Sequence, residues 1–204
     1  MELDRFRRSG CRKWALIGDD ALIGENVEIG KDATIGNGFT IADGSSIGEF
    51  NWLGSDAFIG SDSQVDRFVI LRDGAVLGDE VKIDRFSEFG AGLQVGNRSH
   101  IERFTRAGDG LAVGEGSYLG RFSCFGDEVT VGDRVETNLF TTVGSGVSIG
   151  SDGEMSYFVV IGEGTTIGDG VTIGRFVRIG KDVQISDGAV IRSGSRIADG
   201  EVVE

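Results

Sequence analysis

The stretch Val160–Gly180, VIGEGTTIGDGVTIGRFVRIG, sets isoleucine at 161, 167, 173 and 179, each followed by glycine. Extended in both directions, this six-residue frame runs from Ile17 to Val203 without a slip. Of its 32 positions, 27 are Ile, Leu or Val, the exceptions being Phe89, Ala107, Phe125, Thr137 and Met155. Glycine comes next in 21 hexads, and the residue two before the large aliphatic is small or β-branched in most, as at Ala21, Val27, Ala33, Ser45, Val69, Val129 and Thr165. An apolar, any, apolar triplet is a short strand with two inward side chains. The remaining positions, rich in Gly, Asp and Asn, form a turn that needs φ > 0 or Asx-type bonding. Nothing has a 3.6-residue period, so the chain is all-β, and a repeat this regular is a solenoid.

Composition narrows the function classes. The chain has 204 residues, 35 Gly and no Pro. Ordinary usage would supply about ten prolines at this length, so their absence points to strict architectural constraint or deliberate idealisation. A net charge of −13 argues against a nucleic-acid phosphate surface or an anionic membrane as the partner. No run of 18 apolar residues spans a membrane. The N-terminal MELDRFRRSGCRKW lacks the apolar core of a secretory signal, and Cys11 and Cys124 make no disulfide framework, so a cytoplasmic location is expected. Residues 1–14 are expected to form a basic N-terminal cap and residues 15–204 the repeat body, with the acidic DGEVVE tail capping the other end.

The segments LIGENVEIGKDATIG and VIGEGTTIGDGVTIGRFVRIG resemble the hexapeptide-repeat, or left-handed β-helix, superfamily, with its aliphatic-Gly-x-x-small-x signature. The resemblance implies a single left-handed parallel β-helix, a triangular prism with three hexads per coil. That makes about 10–11 coils of 18 residues without inserted loops, in a body about 50 Å long. It also implies homotrimers and, in many members, CoA-dependent O- or N-acyl transfer with histidine as general base.

With three hexads per coil, every eighteenth residue stacks in one column. One turn column reads Phe50, Phe68, Phe86, Phe104, Phe122, Phe140, Phe158 and Phe176. Arginine precedes it at 67, 85, 103, 121 and 175, and Asp66, Asp84 and Glu102 stand beside Arg67, Arg85 and Arg103 as expected counter-charges. Such a column can stack ring on ring, so it is expected first to be a structural ladder, with a hydrophobic groove for a partner or acyl chain, rimmed by the arginines, as the second reading. An outward strand column carries no charge: Leu22, Thr40, Phe58, Val76, Gln94, Ala112, Thr130, Ser148, Thr166, Gln184 and Val202. In a chain with 26% charged residues this is a candidate contact surface, with Phe58, Val76, Gln94, Thr130, Ser148 and Thr166 at its centre and a second copy of the chain as partner.

Chemistry has few candidates. One histidine and two separated cysteines make no zinc site. Asp20, Asp32, Asp56, Asp62, Asp152 and Asp182 lack convergent spacing for calcium and read as Asx-turn residues. His100, just before Ile101, departs from the family's usual histidine register, and no insertion supplies an acceptor or pantetheine loop. Cys124 has no base beside it in sequence. The expectation is therefore a non-catalytic scaffold or interaction protein without a cofactor. A trimeric acyltransferase using a CoA donor and His100 is the alternative.

Overall fold

The computed structural model describes residues 15–204, and the expected cap at 1–14 lies outside them. Thirty-two two-residue strands follow one another at six-residue steps, from β1 (Leu16–Ile17) to β32 (Val202–Val203). Two residues suffice because each strand spans one side of a coil before the turn redirects the chain. The strands build three parallel sheets. Sheet I has 11 strands, from Leu16–Ile17 to Arg196–Ile197; sheet II has 11, from Leu22–Ile23 to Val202–Val203; sheet III has 10, from Glu28–Ile29 to Val190–Ile191. Each strand pairs with those one coil away, so Val76 stands between Phe58 and Gln94. Among the described residues there is no helix and no loop inserted into the frame. The expected solenoid of about ten coils is what the chain forms.

The inward residues of all three sheets make one continuous core, in which Ile59, Leu71, Ile83, Ile101 and Leu119 are fully buried. Each such side chain contributes about 1.5–3 kcal/mol by leaving water. The smaller inward position tolerates hydroxyls because the coils satisfy them. Ser45 Oγ donates to Gly60 O (2.7 Å) and accepts the Ser63 N–H (3.1 Å), and Ser63, Ser99 and Ser117 continue the pattern.

The turns refine two expectations. The signature glycine follows the aliphatic residue because coils approach closely there: a Cβ on Gly60 would lie 2.4 Å from the backbone carbonyl of Gly78. Positive φ falls two residues later, at Gly38 (65°), Asp56 (54°) and Asp62 (54°). Asp20, Asp32, Asp56, Asp62, Asp152 and Asp182 all occupy this left-handed position. The side-chain acceptors stand one residue earlier and reach across coils: Asp73 Oδ1 takes the Ser55 N–H (2.8 Å), and Asp109 Oδ1 takes that of Ala91 (2.8 Å). The tail is also corrected. DGEVVE is the last turn and strand rather than a cap, since Val202 and Val203 stay in frame and pair with Gln184 and Ile185.

Candidate functional site

Three sheets joined by three rows of turns give the coil three faces and three vertices, so the vertex between sheets III and I stands opposite sheet II. The phenylalanines occupy that vertex. All eight take φ between 57° and 62°, a conformation that costs an L-residue about 1–2 kcal/mol and that bulky side chains seldom adopt. Their rings stack with centroids 4.9–5.2 Å apart and planes within 10° of parallel. Ring contact and partial burial offset the backbone strain. The outer edges stay exposed, by 39–45% from Phe50 to Phe158 and by 64% at Phe176, the last of the column.

The expected pairing of each arginine with the acid before it does not occur. Asp66 accepts the backbone N–H of Arg67 (2.8 Å). Asp84 contacts Lys82 Nζ (3.5 Å) and His100 Nε2 (3.2 Å), and Glu102 lies 3.0 Å from Arg121 Nε, whose N–H is not directed at that oxygen. Asp84 and Glu102 reach instead to His100 and Arg121 of the next coil. Arg67, Arg85, Arg103 and Arg175 have no carboxylate partner among the described residues. Arg85 lies 6.0 Å over the Phe86 ring and Arg175 5.4 Å over that of Tyr157.

His100 is half-buried on the outer side of sheet III, between Lys82 and Tyr118. The two rings meet edge to face at 5.3 Å. Partial burial, with the hydrogen bond to Glu102 and its negative charge, raises the Tyr118 phenol above its ordinary range. Sequence reasoning singled out His100 but not its contacts with Asp84 and Tyr118, which come from the coils on either side. An open groove of about 770 Å³ runs along the same sheet beside the phenylalanine vertex; Ser46, Gln64, Lys82, Arg85, Arg103 and Arg121 help line it, and His100 does not. Cys124 is half-buried on sheet I between Arg106 and Thr142.

On sheet II the six central residues of the uncharged column project outward and all are exposed. Phe58, Val76 and Gln94 are consecutive in the ladder, Ala112 follows, and Thr130, Ser148 and Thr166 continue it. The six therefore share one flat surface.

Two family models match the chain. The GMPPB C-terminal domain covers residues 9–88, and the bacterial transferase hexapeptide (six repeats) covers residues 164–199. No curated protein matches. Solved structures similar to it include the UDP-N-acetylglucosamine acyltransferase of Francisella novicida, at 18% identity over 89% of this chain and 62% of that one, with a TM-score of 0.41. The enzyme of Bacteroides fragilis is 20% identical over 91% of this chain and 68% of that one (TM-score 0.38), and that of Arabidopsis 13% over 95% and 70% (TM-score 0.36). The chain thus spans less than two thirds of the Francisella protein's length. Among the described residues no helix is long and apolar enough to cross a membrane. The unbroken six-residue frame with three hexads per coil is the architecture that the hexapeptide-repeat resemblance implies, and the transferase-hexapeptide model matches its C-terminal repeats, residues 164–199.

Proposed function

We propose that the protein is a non-catalytic solenoid scaffold whose working surface is the outer face of sheet II, with a second copy of the chain as its first partner. One observation carries this reading: eleven outward residues in register on that face carry no charge, on a protein of net charge −13. Sheets I and III both carry charged side chains outward, as at Arg106 and Glu136. The frame, free of inserted loops, and the open groove support a molecule that presents surfaces rather than encloses a substrate.

Acyl transfer is the second reading, favoured by the contact between His100 and Asp84, since a carboxylate that orients an imidazole suits a general base. Two measurements separate them. Light scattering is expected to give a mass above the 21.6 kDa monomer, falling to the monomer in Val76→Arg. Thermal shift with CoA and acetyl-CoA is expected to be nil, whereas a ligand present at a hundred times its Kd would stabilise by about 2.7 kcal/mol. A CoA shift retained in His100→Ala, with acetyl transfer lost, would establish the enzyme and sink the scaffold.

A further inference from the structure

Charge is distributed unequally among the three vertices. At the two middle turn positions, the vertex between sheets I and II holds ten Asp or Glu and one Lys, and that between sheets II and III holds ten Asp or Glu and two Arg. All three of those cations are already paired, Lys181 with Glu163, Arg98 with Glu115 and Arg134 with Asp152. The same positions at the phenylalanine vertex hold six cations and two acids. The acids just before them, Asp66, Asp84 and Glu102, are engaged as described above. The uncharged face is thus bordered on both sides by a carboxylate row, and the vertex opposite is an apolar ridge flanked by Arg67, Arg85, Arg103 and Arg175, which have no carboxylate partner among the described residues.

These surfaces fit each other. Resting on the reading of sheet II as a contact face, we propose that the phenylalanine vertex of one copy docks lengthwise onto the sheet II face of another. The exposed ring edges would lie on the uncharged column, and the arginines would reach the acidic rows beside it. An apolar centre with a rim of opposite charge is how specific interfaces are organised. The pitch supplies a further argument for a second copy as the occupant. Both surfaces repeat once per coil of the same chain, so charges that meet at one coil continue to meet along the ridge. The contact would be about 35 Å long by about 20 Å wide, roughly 700 Å² per partner and so within the range of stable complexes. Because two different surfaces meet, the contact is heterologous, and each copy retains a free face and a free vertex for further growth or ring closure.

The test uses the full-length protein and two variants altered only at exposed or half-buried outward side chains: Arg85→Glu/Arg103→Glu on the vertex and Val76→Arg on the face. Circular dichroism melts first verify that both fold. Sedimentation velocity should show wild-type assemblies that weaken about tenfold between 50 and 500 mM NaCl, and each variant alone should remain a monomer. The 1:1 mixture of the two should form a particle of twice the monomer mass and no larger, because each variant retains the surface that the other lacks. If Val76→Arg is monomeric while the arginine variant assembles like wild type, face II meets itself and only the vertex is eliminated. Wild-type protein that stays monomeric at low salt overturns both this inference and the contact-face reading. A mixture that yields no dimer overturns the pairing of vertex with face.

Discussion

The three vertices close the same backbone in two different ways. At the two acidic vertices the turn amides bond the coil before at 2.7–3.0 Å, as from Asp56 to Asn37 (2.8 Å) and from Gly170 to Ser151 (2.7 Å), and carboxylates such as Asp73 and Asp109 add a second cross-coil bond. Along the phenylalanine vertex the equivalent bonds lengthen to 3.4 Å at Phe86 and 3.3 Å at Phe104 and Phe122. Once the column ends, the bond from Gly194 to Arg175 is 2.8 Å again. The vertex therefore combines longer hydrogen bonds with ring contact. The difference shows that successive coils can be joined by glycine and carboxylate on one edge and by aromatic stacking on another.

Substitutions can break this comparison or sharpen it. The largest effect is expected from Gly60→Val, which forces a side chain into the Gly78 carbonyl. Its cost should be about 3 kcal/mol or more, lowering Tm by roughly 6–12 °C at this chain length, and an unchanged calorimetric melt would remove close approach as the reason for the glycine. Phe104→Gly comes second. It relieves a strained φ but loses ring burial and two stacked neighbours, for a net loss of about 2 kcal/mol in urea unfolding. Asp109→Ala deletes the acceptor for the Ala91 N–H and should cost about 1 kcal/mol by the same assay. Phe176→Gly, at the exposed end of the column with one ring neighbour, should cost less than about 0.5 kcal/mol. Equal losses at 104 and 176 would contradict a cooperative stack.

The smallest effect lies on an acidic vertex. Arg134 forms a two-bond pair with Asp152 and, chiefly through that hydrogen bonding, holds the carboxyl below its ordinary value. A depressed carboxyl contributes above the ordinary Asp range and loses that contribution as pH falls through the folded value. Arg134→Ala should therefore shift the Asp152 titration upward by NMR without a measurable change in Tm, because both side chains are solvent-exposed.

The sequence made the frame legible because each hexad repeats the same inward side chains, and the columns because Phe50 through Phe176 recur at the coil period. Local adjacency was a poor guide to side-chain partners. Arg85 follows Asp84 directly, yet Asp84 meets His100, sixteen residues on. The pattern marks Asp62 as an Asx-turn residue, whereas its backbone takes the left-handed position and the cross-coil acceptor is Asp79, eighteen residues beyond the Ser61 amide. Charge segregation among the vertices was written in the sequence throughout, but it becomes visible only when turns are sorted three ways.

The uninterrupted frame also determines how such a chain can change length. Excising 18 residues removes one coil and leaves every later column in place, so the molecule shortens by about 4.8 Å and is otherwise unaltered. Excising six removes one hexad and leaves the others in frame with their side chains inward, yet rotates all that follows by one face. Phe104 would then stand in the column of Arg98, and the uncharged column from Ala112 onward would continue that of Arg106. Folding tolerates insertions and deletions in multiples of six; the alignment of surfaces tolerates only multiples of 18.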